Sequence, residues 1–202
     1  IKYPDKLIGF ASVNPSDSRK TEKILNKCIE EYRLKGIKIH PRLQKIDPGD
    51  RKMIALARIA ASLNIPILFD CFPQWDKDFP IVRTYPERIA ELAYKVPQAK
   101  IIIAHAGGYK LWDTFFIARA NANIYLDFSF SICYFRGSSL WQDLGFILKK
   151  IGAKRCIYGS DHPEIPLAQS LQYAKELTDN IGLSVEDEEY FFGKTMLSLL
   201  SV

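Results

Sequence analysis

The chain of 202 residues is long enough to bury a sizeable hydrophobic core without disulfide bonds. Hydrophobic residues make up 48% and charged residues 25%, which argues against disorder. The net charge of +5 comes from scattered side chains without a basic run, so no nucleic-acid partner is predicted. Four separated cysteines without a CxxC pair, and the absence of a membrane-length apolar run or signal peptide, predict a reduced, cytoplasmic protein without a membrane partner.

Short apolar runs alternate with longer amphipathic stretches along the whole chain. Most of the runs are continuously apolar, as in the strands of a parallel sheet that helices cover. Six strands are predicted, at 7–13, 36–40, 65–71, 100–105, 123–128 and 155–160. Helices are predicted near 18–34, 50–63, 86–96, 109–121, 138–151 and 165–180, followed by two short helices over 184–200 that break near Gly193.

Helix-boundary residues agree with this alternation. The segment 14–17 (NPSD) is predicted to cap the first helix, Pro86 to open the third, and Gly152 to end the fifth. Alternating strands and helices form either a doubly wound open sheet or a closed (β/α)8 barrel. Six units fit the open sheet numerically, because a barrel needs eight, but both folds bind ligands at the carboxyl ends of their strands.

Polar side chains collect at those predicted strand ends. All three histidines, His40, His105 and His162, lie there, whereas no GxGxxG or GxxxxGK[ST] motif indicates a nucleotide. Lys38 and His40 share a strand face, so both are expected to point into the barrel, either as site residues or as an internal polar pair. Arg42 and Trp75 follow strands on loops at the same end and are predicted substrate contacts.

Three further positions carry candidate chemistry. His105 precedes two glycines that permit close backbone approach, so it is predicted to bind a metal or carry a proton, with a capped core histidine as the alternative. Asp161 follows a Gly-Ser pair and is predicted to bind metal and accept a proton from water, with a helix N-cap as the alternative. Asp70 ends an apolar strand and needs a cationic partner, which could be a metal, Lys38 or Arg42.

These segments resemble the amidohydrolase-related family, which also includes decarboxylases and lactonases. The resemblance rests on 36–41 (GIKIHP), 103–108 (IAHAGG) and 158–163 (YGSDHP), with 7–15 (LIGFASVNP) and 192–196 (FGKTM) at the two ends, and covers essentially the whole chain. It implies a (β/α)8 TIM-type barrel in one domain over 1–202, whose six strands correspond to the family's third to eighth. The first two strands are then expected to be missing from this chain.

The resemblance also implies roles. Asp161 matches the last-strand aspartate that binds metal and activates water, and His105 matches the sixth-strand histidine. Two departures bear on activity: the first-strand His-x-His pair is absent, and Asp70 stands where a ligand histidine is usual. A carboxylate at that position shifts preference toward Mn2+ or Mg2+.

The leading hypothesis is a metal-dependent hydrolase that attacks a small amide, lactone or ester with activated water. The metal, Zn2+ first and Mn2+ or Mg2+ as alternatives, would be held by His105, Asp161 and Asp70. The oxyanion would be stabilised by His105 or His40, and an acid group of the substrate would face Lys38 or Arg42. A decarboxylase, a metal-free lactonase and a degenerate barrel that binds a ligand or partner are the alternatives, and a homo-oligomer is compatible with each.

Overall fold

The computed structural model describes residues 3, 6–15 and 18–201. Within these residues, five short strands form one parallel sheet: β1 (Ile37–Ile39), β2 (Ile67–Phe69), β3 (Ile101–Ile103), β4 (Ile124–Asp127) and β5 (Cys156–Ile157). The α-helices are α1 (Ser18–Glu30), α2 (Pro41–Gln44), α3 (Arg51–Ser62), α4 (Pro86–Lys95), α5 (Leu111–Ala120), α6 (Ser131–Tyr134), α7 (Ser139–Ile151), α8 (Leu167–Asn180), α9 (Val185–Glu189) and α10 (Thr195–Leu200). Turns of 3-10 helix lie at Ile81–Thr84 and Ala153–Arg155, and a π-helical turn, Tyr190–Lys194, joins α9 to α10.

The strand order follows the chain without reversal, β1-β2-β3-β4-β5, and every pairing is parallel. A doubly wound sheet instead reverses its order at a switch point. The described strands therefore form part of a (β/α)8 barrel, as the sequence predicts. Among the described helices, none combines the length and apolar character of a membrane-spanning segment.

The two faces of the sheet differ in what covers them. Alternate strand residues point to opposite faces, and the outer face, which includes Ile37 and Phe69, is fully buried beneath the helices. On the inner face, Ile102 and Ile157 pack with Leu199 of α10. Helix α10 thus covers the apolar layer inside the partial barrel.

The predicted helices are confirmed to within a few residues at each end, including the start of α4 at Pro86 and the end of α7 before Gly152. The strand predicted at 7–13 forms only one isolated bridge, between Ala11 and Ile37, because this segment hydrogen-bonds to the chain around β1 and no other strand of the described chain pairs with it. The break predicted near Gly193 is instead the π-helical turn, which keeps the helix continuous. The predicted cap residues Ser16 and Asp17 lie outside the described residues.

Candidate functional site

A cavity of about 360 Å³ opens at the carboxyl ends of the strands. Its lining residues are His40, Arg42, Leu43, Asp70, Phe72, Gln74, His105, Phe130, Asp161 and Glu164. Five of the seven predicted site residues are therefore brought together. Lys38 lies two residues before His40 on the same strand face and is not part of the lining, and the Trp75 side chain is 85% exposed outside the cavity. His162, whose sequence context predicts a supporting or structural role, is exposed.

Strand register explains why these side chains meet. Ile39 pairs with Phe69 and Phe69 with Ile103, so the residues that follow them stand at one level of the sheet. Because alternate residues share a face, this level carries His40 and Asp70 above the inner apolar layer. The short strands thus place polar side chains directly above the inner apolar layer.

Asp70 lies between two imidazoles. Its Oδ2 atom is 3.0 Å from Nε2 of His105 and 3.6 Å from Nε2 of His40. The Asp70 and His105 side chains are only 15% and 7% exposed. Asp70 therefore finds its cationic partner in His105, and Lys38 acts on it only through longer-range charge.

The surroundings of Nδ1, the second ring nitrogen of His105, determine which ring nitrogens carry a hydrogen. Nδ1 lies 3.0 Å from the carbonyl oxygen of Ser129, which can only accept, so Nδ1 carries a hydrogen. Nε2 faces the Asp70 carboxylate, which also accepts when ionised. Both nitrogens then donate, and the geometry favours an imidazolium ion.

The pKa directions agree with this assignment. Burial on its own lowers the pKa of His105, but the hydrogen bond to Asp70 and the charges of Asp127 and Asp70 outweigh burial and raise it. Burial likewise raises the pKa of Asp70, yet the hydrogen bond from His105 and the neighbouring positive charges bring it below its usual range. For His40, burial is the largest cause, and with the charges of Lys38 and Arg42 it lowers the pKa.

His40 also caps the start of helix α2. It is the N-cap of that helix, and its Nδ1 accepts a hydrogen bond from the backbone N–H of Leu43 at 3.5 Å. A neutral His40 ring therefore carries its hydrogen on Nε2, the atom that faces Asp70. At 3.6 Å from Asp70 Oδ2 this N–H group makes only a weak contact and is available to an acceptor in the cavity.

The loop after β3 has an unusual backbone that presents His105. His105 and Ala106 have φ values of 58° and 48°, in the left-handed region that non-glycine residues seldom adopt. Gly107 continues this path at φ 81°, and a Cβ there would collide with the Thr114 side chain. The glycine is therefore required both by its φ and by its close approach to α5.

Aromatic rings form one wall of the cavity. Phe72 and Phe130 meet edge to face with centroids 5.1 Å apart, and each lies 6.0 Å from the His105 ring. A Cβ on Gly108 would approach the Phe72 ring to 2.9 Å, so glycine lets the wall close. The site thus offers an apolar face beside its proton donors and acceptors.

The sequence matches the profile of the amidohydrolase family over residues 1–195. The chain belongs to the amidohydrolase family. No curated protein matches it significantly in sequence.

Solved structures show the same fold at low sequence identity. A TIM-barrel protein from Bordetella bronchiseptica superposes with a TM-score of 0.83 at 18% identity, covering 99% of this chain and 68% of that chain. A dihydroxybenzoic acid decarboxylase from Polaromonas, with bound manganese and the inhibitor 2-nitroresorcinol, gives 0.73 at 16% identity, covering 99% and 70%. A 5-carboxyvanillate decarboxylase from Novosphingobium aromaticivorans, with manganese and 4-hydroxy-3-methoxy-5-nitrobenzoic acid, gives 0.74 at 18%, covering 100% and 66%. At these identities the likeness shows the fold.

The donor set can be tested against the metal that the family implies. His105 has one feature of a metal-binding histidine: its Nδ1–H donates to a backbone carbonyl, and its Nε2 is on the cavity side of the ring. However, His40 carries its hydrogen on the nitrogen that faces Asp70, and the described residues contain no group of three His, Cys, Asp or Glu side chains that could hold an ion. Catalytic zinc takes three protein ligands. By themselves the described residues do not form a complete metal centre.

Asp161 lines the same cavity as this cluster. Its backbone is also left-handed, with φ 58°, and no hydrogen bond or ion pair of its carboxylate is found with any described residue. The alternative role of Asp161 as an N-cap is not observed, because Pro166 occupies that position before α8. Its carboxylate is therefore free to accept a proton in the cavity.

Sequence reasoning assigned no role to three buried residues behind His105: Asp127, Ser129 and Ser131. The Ser131 hydroxyl donates to the His105 backbone carbonyl at 2.6 Å, and Ser129 contacts the ring. Asp127 could have been found from its place at the end of a predicted strand. The two serines carry no periodic signal, because Ser129 lies on the loop beyond β4 and Ser131 is the first residue of the four-residue helix α6.

Proposed function

We propose that this chain is a hydrolase that adds water to a small lactone, ester or amide carrying an acid group. The observation that carries the proposal is that one cavity holds Asp161, whose carboxylate bonds to no described residue, and the Nε2 atom of His40, beside an Asp70 that is paired with His105. Histidine and carboxylate groups with different proton affinities supply general acid and general base chemistry. The family's enzymes, which include hydrolases and decarboxylases, support a reaction of this kind.

In the proposed reaction, Asp161 accepts a proton from water as the water oxygen bonds to the substrate carbonyl carbon. The Nε2–H group of His40, loosely held by Asp70, donates to the developing oxyanion. Asp161 then delivers its proton to the leaving oxygen or nitrogen as the bond to carbon breaks. His105 keeps Asp70 ionised and its positive charge stabilises the negative intermediate.

Substrate binding is assigned to Arg42. This side chain lines the cavity, is only partly exposed, and forms no ion pair with a described residue. A guanidinium in this state fits a carboxylate of the substrate. The substrate's apolar part would lie against Phe72 and Phe130.

The test is hydrolysis of a panel of small carboxylate-bearing lactones, esters and amides by the wild type and by Asp161→Asn. We expect kcat to fall by about 10²–10⁴-fold, because general base catalysis is removed, while the melting temperature changes little. Asp179→Asn, which changes an exposed aspartate on α8, is the matched control and should keep full activity. Hydrolysis that survives Asp161→Asn would overturn the proposed role.

A decarboxylase is the second candidate, and two observations favour it. The cavity has an aromatic wall suited to a flat ring, and two structural neighbours are decarboxylases of hydroxylated benzoic acids. In this case a proton from the site would replace carbon dioxide on the ring carbon. Release of carbon dioxide from 2,6-dihydroxybenzoate or 5-carboxyvanillate, measured with and without added Mn2+, would select it over hydrolysis.

A further inference from the structure

A buried hydrogen-bond chain runs behind His105, away from the cavity. The Ser129 hydroxyl donates to Oδ2 of Asp127 at 2.5 Å, and the Ser129 backbone N–H donates to Oδ1 of the same carboxylate at 3.0 Å. Asp127 thus holds Ser129 at two points. All three residues are buried, with whole-residue exposures of 7% for Asp127 and 6% for Ser129 and His105, so bulk water does not compete.

The direction of these bonds determines what Ser129 can offer to His105. A hydroxyl has one hydrogen, and here that hydrogen goes to Asp127. The Ser129 oxygen, 3.2 Å from His105 Nδ1, is then left as an acceptor. Together with the Ser129 carbonyl at 3.0 Å, it surrounds Nδ1 with two acceptors and no donor.

The space for this chain depends on Gly159. A Cβ at that position would lie 2.8 Å from Oδ1 of Asp127 and 2.9 Å from the Ser129 Cβ. Gly159, two residues after β5, therefore leaves room for Asp127 and Ser129 beside the segment that leads to Asp161. The space at Gly159 and the two hydrogen bonds from Ser129 to Asp127 thus act on the same pair.

We propose that Asp127 and Ser129 are positioning residues that hold the His105 ring with Nδ1 as a hydrogen donor and Nε2 aimed at Asp70 and the cavity. The catalytic consequence rests on the proposed function, whereas the orientation itself does not. Without the carboxylate, the Ser129 hydroxyl is free to turn toward Nδ1 and favour a ring whose Nδ1 carries no hydrogen. In hydrolases with a serine-histidine-aspartate triad, an aspartate that fixes the histidine ring by direct contact is worth orders of magnitude in rate, and here Asp127 acts on the ring through Ser129.

The test uses 15N shifts of the ring nitrogens at one fixed pH, where protonated and bare nitrogens are resolved. The chain has three histidines, and loss of one signal set in His105→Gln assigns His105. In the wild type we expect a protonated Nδ1. In Asp127→Asn, the amide group in place of Oδ2 donates to Ser129, which turns the hydroxyl toward His105, so the Nδ1 signal should move toward the bare value.

The decisive variant is the double substitution Asp127→Asn with Ser129→Ala. It removes the hydroxyl that drives the change but keeps the Ser129 backbone carbonyl, so the protonated Nδ1 signal should return. A purely structural role of Asp127 predicts no such rescue. An unchanged Nδ1 signal in Asp127→Asn, or no return in the double variant, would overturn the proposal.

Two further readouts complete the test. If Asp127→Asn does not fold, Ser129→Ala is tested alone. Loss of one of the two acceptors should speed exchange of the Nδ1 hydrogen with water at least about tenfold, and unchanged exchange overturns the proposal.

If the hydrolase is active, kcat should fall on the order of 10²-fold in Asp127→Asn with little change in KM, and should partly recover in the double variant. The NMR signals need no turnover, so failure of the hydrolase assay and failure of the positioning role are distinct results.

Discussion

Replacing Asp70 by Asn should destabilise the protein in a way that depends on pH. The substitution keeps the shape of the side chain but removes the charge that His105 faces at 3.0 Å. A hydrogen bond between charged groups contributes about 1.5–3 kcal/mol, and both side chains are largely buried, so little of this is lost to solvent. The contact with His40 at 3.6 Å adds little. We expect a loss of about 2 kcal/mol in the free energy of unfolding at mildly acidic pH.

The pH window follows from the two pKa shifts. The raised pKa of His105 contributes stability that is complete below the unfolded value of 6.5 and is lost as the pH rises through the folded value. The lowered pKa of Asp70 contributes stability that is complete above 3.8 and is lost as the pH falls through its folded value. The pair therefore contributes most between about pH 4 and about pH 6.5, and the cost of Asp70→Asn should shrink above that range.

Urea unfolding with a chelator present, from about pH 5 to about pH 9.5, measures this cost as a difference from the wild type. The matched control is Asp47→Asn. Asp47 is also buried and accepts from Arg88 at 3.0 and 3.1 Å, but arginine stays charged throughout, so the cost of Asp47→Asn should not vary. A cost of Asp70→Asn that is equally constant would refute the charged state assigned to His105.

Three other substitutions test the fold and the site. Gly107→Ala should cost more than Gly137→Ala. An alanine would incur about 1–2 kcal/mol of strain at either position, because φ is positive at both, but only at Gly107 would its Cβ also collide with a side chain of α5. Chemical denaturation compares the two variants. Phe191→Ala, at a fully buried ring, should cost about 3–5 kcal/mol, whereas Phe116→Ala at an exposed ring should cost less than about 1 kcal/mol. Arg42→Met should raise KM about 10–100-fold for a carboxylate substrate but not for its neutral methyl ester, and equal effects on both would contradict its assigned role.

The parallel strands explain how much of the site the sequence could predict. Apolar runs such as 101–103 indicate buried strands directly, and the ends of parallel strands meet at one edge of the sheet. Polar residues that follow such runs, including His40, Asp70 and His105, could therefore be assigned to one cavity without a structure. The prediction of the first strand was less successful, because an edge segment around Ala11 has the same composition as a central strand but only one pairing partner.

Loop residues could not be placed by the same reasoning. Trp75 lies on the loop after β2, at the same end of the sheet as the other predicted contacts, yet the loop carries its side chain out to solvent. Ser129 was missed for the converse reason: the chain turns sharply at Phe130, where φ is 60°, and brings Ser129 under the His105 ring. Neither path follows from strand or helix periodicity, since each depends on individual backbone angles in a non-repeating segment.

The inner apolar layer explains why the site above it holds paired charges. Ile102 and Ile157, closed from below by Leu199, present hydrocarbon rather than water to the floor of the cavity. A carboxylate at this level, such as Asp70, is stabilised by water on the cavity side alone and must find a donor within the protein. His105 is that donor, and its own burial is offset by a second set of acceptors on the opposite side of its ring. The arrangement of the site is thus a consequence of where the barrel places its apolar floor.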